Sequence, residues 1–181
     1  MKKRHGLLGL LLVLLVSGLI FASSRVVVDM AGTEVVLPKV INRTISTSPL
    51  FTTQIFALHG DDKLVGIDAW SRDFPWPRAV GDKIKQLPVV GNQGAWNTEE
   101  ILKLEPQVMI LWTKEDVELF RRLGIPSVFT DIQITTNKAP EVGFRFVAEV
   151  LGIPEEGERL AAWFEGNMAL AQERTGNVPC S

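Results

Sequence analysis

Tyrosine is absent from the 181-residue chain, cysteine occurs once, as Cys180, and histidine twice, as His5 and His59. A single cysteine cannot close an internal disulfide. A Cys/His zinc site needs three or four ligands of those kinds, which this composition does not supply. Ser-His-Asp or Cys-His catalysis needs a histidine beside its nucleophile, and beyond the N-terminal leader His59 is the one available. It stands in "IFALHGDD", at the end of an apolar helical stretch and before a glycine. That place suits a helix C-terminus better than a general base. No phosphate-cradling G-x-x-x-x-G-K-[S/T] loop and no G-x-G-x-x-G turn occurs. The carboxylates Asp68, Asp73 and Asp131 are not paired at a spacing that suits acid–base work; they read as turn residues or surface charges. An excess of basic charge is lacking too, with 19 Lys and Arg against 21 Asp and Glu.

Long apolar runs are confined to the N-terminus. There "MKKRH" precedes "GLLGLLLVLLVSGLIF" and then "ASS", the basic, apolar and small-residue regions of a secretory signal. The expected cut follows Ser24, with Ala22 and Ser24 as the small residues. An uncleaved membrane anchor is the alternative, although the run is short for a span and Ser17 and Gly18 interrupt it. No cysteine follows the apolar region, so lipid attachment is not indicated. Either way the remainder is exported. Loss of Lys2, Lys3 and Arg4 with the leader takes the basic count from 19 to 16 against 21 acids, a net charge near −5. Nucleic-acid binding, which needs a basic face, is not expected.

The chain beyond the leader alternates between two periodicities. "RVVVDMAGTEVVLP" reads as a β-hairpin turning at Ala31-Gly32-Thr33. "RTISTSP" reads as a short strand, "LFTTQIFALHG" as a helix stopped by Gly60, and "KLVGID" as the next strand. "AWSRDFPWPRAVGDKIKQLP" reads as a loop with at most a short helix, and "VVG" as a brief strand. Asn97 is placed to cap a helix, with Glu100 three residues on as in a capping box. Pro106 stops that helix. "QVMILW" has the unbroken apolar character of a parallel strand covered on both faces. "KEDVELFRRLG" is a helix, "IPSVFTDI" a strand, and two helices follow from Pro140. The expected fold is α/β: one Rossmann-like lobe with a doubly wound, mostly parallel sheet, followed by a long helix.

In open α/β sheets ligands bind beyond the carboxyl ends of the strands. The residues expected there include Ser48-Pro49-Leu50, Asp68-Ala69-Trp70, Gly94-Ala95-Trp96 and Trp112-Thr113-Lys114. Three of the five tryptophans fall at such ends, among polar residues and glycine, where a flat ligand would find stacking area. Trp76 lies in a neighbouring loop and Trp163 in a helix. Arg72, Arg78 and Lys114 offer cationic groups suited to anionic oxygens. The N-terminus of the helix after Ser48-Pro49 offers free N–H groups and a positive dipole end.

The motifs in their order carry a resemblance. "VVVDMAGTEVVLPKVINRTISTSPLFTTQIFALHGDDKLVGID" resembles the opening of the ABC-transporter periplasmic binding proteins for iron–siderophore complexes, haem and cobalamin. Those chains begin with "D..G..V.LP" and then "RIVSLSP..TE.LFALG..D.LVGV". "LPVVGNQGAWNTEEILKLEPQVMIL" resembles their "VG.....N.E.I..LKPDLVI", and "LFRRLGIPSVFTDI" their "L..LGIPV....". The resemblance covers Val26 to Leu151. It implies two α/β lobes joined by a long helix, with the ligand in the cleft between them. "EEGERLAAWFEGNMALAQERTG" is similar to the start of that connector. The implied organisation is a signal peptide over 1–24, an N-terminal lobe over 25–139 and helices over 140–181, with the second lobe absent.

The resemblance further implies a non-enzymatic, exported substrate-binding component of an ABC importer, monomeric, in the periplasm or on the outer face of the cytoplasmic membrane. Its ligand would be a ferric siderophore or a tetrapyrrole such as haem or cobalamin, with no resident cofactor and no metal held by the protein. Its partners would be a membrane permease and ATPase. Ligand-facing loops map to Ser48-Pro49-Leu50, Trp70, Gly94-Ala95-Trp96 and Trp112, and Arg72 and Lys114 join them as the cationic candidates named above. Asp82 and Glu99 map to permease docking. With no tyrosine in the chain, tryptophan stands in as the cleft aromatic. The rival readings are a single-lobe exported interaction protein, in which Cys180 could pair with another chain, a truncated receptor without ligand binding, and an enzyme on a chelatase-like lobe.

Overall fold

The structure, a computed structural model, describes residues 24–131 and 139–176; the leader up to residue 23 and Cys180 lie outside the described residues. Its Val-rich opening forms an antiparallel hairpin, β1 (Ser24–Val28) and β2 (Glu34–Pro38), in register from Ser24↔Pro38 to Val28↔Glu34. The two-residue period of a strand separates its faces. Val27, Val35 and Leu37 are buried, whereas Val26, Val28 and Val36 are more than half exposed.

β3 (Thr44–Ser46) leads into α1 (Pro49–Ala57), and β4 (Leu64–Ile67) into two short helices, α2 (Ala69–Asp73) and α3 (Arg78–Ile84). A small hairpin follows, β5 (Gly91–Asn92) with β6 (Ala95–Trp96), and then α4 (Thr98–Lys103). β7 (Val108–Leu111), α5 (Lys114–Arg122) and β8 (Ser127–Phe129) complete the alternation. α6 (Pro140–Leu151) and the 22-residue α7 (Pro154–Thr175) close the described chain.

β4, β3, β7 and β8 form one sheet in that spatial order, with every neighbouring pair parallel. β7 shows why its sequence lacks alternation. Val108 and Ile110 join a core shared with the β1–β2 hairpin, α1 and α6, while Met109 and Leu111 join Ile101 of α4 and Val117 and Phe120 of α5 in a second core. Both faces of the strand are covered, so both sets of side chains are apolar.

Local chemistry sets the element ends. Ser48, Asp68, Asn97 and Thr113 cap α1, α2, α4 and α5 by accepting from backbone N–H groups one turn in. Four details depart from the sequence expectation. The stretch from Ala69 to Pro88 holds two short helices where a loop with at most one was expected, because Asp68 caps the first and the Pro75/Pro77 pair only separates them. "VVG" is not one strand: Val89 makes a single parallel bridge with Ile67, and Gly91 opens β5. Glu100 does not close a capping box: the Asn97 amide donates to the Val90 carbonyl at 2.9 Å, and Glu100 lies 3.9 Å from Lys103. The residue that unwinds α1 is His59, at φ 55°, not Gly60. The His59 and Gly60 amides donate back to Phe56 and Ile55 at 3.1 and 2.9 Å, closing the helix end.

Candidate functional site

Because its strands are parallel, the sheet brings all their carboxyl ends to one edge. β3 is flanked by β4 and β7, so the chain leaves it to one side and returns to the other, which makes its carboxyl end the switch point of the sheet, the place where open α/β sheets take their ligands. The strand ends are tied together there. Thr47 Oγ1 donates to the Ile110 carbonyl at 2.7 Å. The Asp68 amide donates to Ser46 O at 3.2 Å, and the Thr130 amide to Leu111 O at 2.8 Å. Ser48, Pro49, Leu50, Trp70, Trp112 and Lys114 all lie within four residues of these ends.

Trp70 is 48% exposed and Leu50 40%, so this edge presents apolar surface to solvent. Trp112 is half-buried against the hairpin-side core. Lys114 Nζ stands 5.7 Å from the centre of the Phe129 ring, within cation–π range. Ser48 is buried, and its hydroxyl accepts from the Leu50 amide at 3.2 Å. α1 therefore keeps fewer free N–H groups than its sequence suggested. Pro49 has none, Leu50 is capped, and the Thr52 amide donates to Ser48 O at 3.0 Å.

The other candidates sit elsewhere. Trp96 packs edge-on against Phe120, ring centres 6.0 Å apart at 68°, as part of the second core, with its Nε1 buried and unpartnered. Arg72 donates through Nη2 to the Leu87 carbonyl and clamps the α3–β5 connection. With Asp82 it lines a pocket of about 440 Å³ whose walls include Phe74, Trp76, Arg78 and Lys85. Trp76 tilts against Phe74 at 4.7 Å and donates through Nε1 to the Ser71 carbonyl at 2.6 Å. Asp82 is exposed, 3.9 Å from Lys85, and Glu99 is exposed, 3.1 Å from Lys103.

Two acids matter more than the sequence indicated. Asp68 is completely buried rather than a surface charge. Its Oδ1 is in contact with Ser71 Oγ and accepts from the Ser71 amide at 3.3 Å, and its Oδ2 has no partner. Burial pushes its pKa up, against the opposing pull of the Ser71 hydroxyl and amide and of the nearby Asp68 and Trp70 N–H dipoles, which make no hydrogen bond to it. Asp29, also buried, sits at the β1–β2 turn and receives the Arg121 guanidinium at 2.7 Å and the Ala31, Thr33 and Phe129 amides at 2.9, 2.9 and 3.2 Å. Burial alone would raise its pKa; these donors outweigh it and hold the carboxyl below the usual range. Among the described residues no three His, Cys, Asp or Glu are grouped to hold a metal ion.

A parallel sheet with helices on both faces, followed by a 22-residue helix, defines the class as a Rossmann-like α/β lobe. The chain belongs to the periplasmic binding protein family, whose model matches residues 45–179. It is 30% identical over 139 residues to the vitamin B12-binding protein of Pectobacterium atrosepticum, covering 73% of this chain and 47% of that one. The vitamin B12-binding protein of Yersinia pestis is 27% identical over 136 residues. Among solved structures, a periplasmic solute-binding protein from Veillonella parvula superposes with a TM-score of 0.75 at 27% identity, over 87% of this chain and 50% of that one. The periplasmic haem-binding protein from Roseiflexus sp. RS-1 gives 0.59 at 31% identity, over 77% and 52%. The chain spans about half the length of the curated relatives it matches.

Proposed function

We propose that this chain is the N-terminal lobe and connector of an exported, non-enzymatic substrate-binding component of an ABC importer. It captures a metal chelate of the tetrapyrrole or ferric siderophore class and hands it to a membrane permease and its ATPase. The observation that carries this reading is the half-exposed Trp70 at the carboxyl end of β4, on the edge that also holds Leu50, Trp112 and Lys114. An indole left bare at that edge offers a flat contact for a macrocycle, and Lys114 adds a cation for acidic substituents. The vitamin B12-binding and haem-binding relatives support the ligand class. Asp82 and Glu99, both on exposed helical surface, are the proposed permease contacts on this lobe.

The test is a titration of the purified protein with cyanocobalamin, haemin and a ferric hydroxamate siderophore, followed by tryptophan fluorescence. One class is expected to quench saturably. Trp70→Ala should then weaken that ligand about tenfold or more, some 1.4 kcal/mol, with the melting temperature within a few degrees of the parent. Trp112→Ala should lose stability as well as binding, because its ring packs on the core. Absence of saturable quenching by all three compounds would count against the reading.

The second reading, a single-lobe interaction protein, is favoured by one face of α7, where Trp163 and Leu170, seven residues apart, are 65% and 50% exposed. It predicts self-association or partner capture through that face. Light scattering that shows a monomer at all concentrations would disfavour self-association.

A further inference from the structure

The buried polar groups beneath the strand ends form a single chain. Ser46 Oγ reaches the Ser48 carbonyl at 3.2 Å, Thr52 Oγ1 reaches Ser46 Oγ at 2.8 Å and Ser71 Oγ at 3.1 Å, and Ser71 Oγ reaches Asp68 Oδ1. All five residues are buried. The chain runs from β4 through α2 and α1 to β3. It joins the helix that carries Trp70 to the turn that precedes Leu50.

The protons in this chain can be counted. Each hydroxyl has one hydrogen to give. Ser46, Thr52 and Ser71 therefore supply three hydrogens for four oxygen–oxygen contacts. If Asp68 is ionised, one contact brings two lone pairs together, whichever way the hydroxyls turn. The ionised form also leaves Oδ2 a charged, buried atom without a partner, which is a costly arrangement. A proton on Oδ1 removes both problems. Asp68 then donates to Ser71, Ser71 to Thr52, Thr52 to Ser46 and Ser46 to the Ser48 carbonyl. Four hydrogens serve four contacts in one direction, an ordering in which successive hydrogen bonds reinforce each other. Oδ2 becomes a neutral carbonyl oxygen.

We infer that Asp68 is held as a neutral carboxylic acid at neutral pH and is the positioning residue that locks the α2 and Ser48 loops of the strand-end edge together. That these loops face a ligand rests on the functional reading above; the protonation state does not. No charged side chain in the neighbourhood competes for the role. β3, β4, α1, β5 and β6 contain no titratable residue. On α2, Arg72 is turned through Nη2 to the Leu87 carbonyl, its Nε buried without a partner, and Asp73 is exposed; Arg78, Asp82 and Lys83 on α3, and Lys85 just after it, are exposed. The dominance of burial in Asp68's raised pKa agrees with this state.

The sign of the effect follows. A carboxyl whose folded pKa lies above its unfolded value of about 3.9 contributes stability that is complete below that value and is lost as pH rises through the folded pKa. Asp68→Asn provides the test, because the amide NH2 can donate to Ser71 Oγ as the neutral acid does. Melting temperatures of the full chain and of Asp68→Asn are measured from pH 4 to pH 9. The variant is expected to match or exceed the parent at pH 7, with the gap widening in its favour as pH rises. A variant several degrees less stable at pH 7, with an unchanged pH slope, overturns the proposal. If the variant does not fold, a 13C titration of the wild-type Asp68 carboxyl decides. Titration well above the ordinary aspartate range supports the neutral acid, and titration within it refutes it.

Discussion

Asp29 and Arg121 are 92 positions apart in sequence and 2.7 Å apart in the fold. Their pair fastens the β1–β2 turn to the β8 edge, where Asp29 also accepts from the Phe129 amide. Because the folded carboxyl titrates below its unfolded value of about 3.9, its stabilisation is present above that pH and is lost as pH falls through the folded pKa. Asp29→Asn should therefore cost roughly 1–3 kcal/mol at neutral pH, and its melting temperature should fall less than the parent's between pH 5 and pH 2. Parallel acid-side slopes in calorimetry would remove Asp29 from the account. Neither acid's role was legible in the sequence. An aspartate after "VVV" or after "VGI" reads as a turn residue, and only tertiary contact shows that Asp29 meets Arg121 or that Asp68, through its cap partner Ser71, reaches Thr52. His59 was legible by elimination as a helix-end residue, but its positive φ was not, because the following glycine is the more usual holder of that conformation.

The elements follow local rules closely, and the exceptions have local causes. Helices with both a capping residue and a glycine or proline stop, such as α4 and α5, are evident from sequence. α2 and α3 were not, since their prolines argued for a loop and each helix is too short to show a periodic apolar face. Two glycines are fixed by geometry. Gly91 has φ +100°, and a Cβ there would stand 2.3 Å from the Ala95 carbonyl oxygen. Gly157 lets α7 pack on α6, with a Cβ there only 2.5 Å from that of Ala148. Gly91→Ala should cost about 2 kcal/mol or more, from backbone strain and displacement of the β5–β6 hairpin. Gly157→Ala should lower stability by about 1–3 kcal/mol through overpacking. Denaturant melts check both, and an unchanged midpoint for either variant would contradict the packing described.

At the scale of the whole molecule, the strand–helix alternation announced an α/β lobe, and the ordered motifs announced the family. The spatial order β4-β3-β7-β8 was not readable, because nothing in β3's three residues marks it as flanked on both sides. That order sets the switch point at the carboxyl end of β3. Trp70 and Trp112 stand at the strand ends, whereas Trp96, equally bare in sequence, turns onto Phe120. Trp163 lies exposed on α7. The central claim is that the strand-end edge is where a chelate is held. Hydrogen–deuterium exchange of the protein, free and with saturating cyanocobalamin or haemin, tests it most directly. The account predicts slowed exchange with at least one of them in peptides covering residues 48–52, 69–73 and 112–117. Unchanged exchange in those peptides at saturation, or protection restricted to α7, would contradict it.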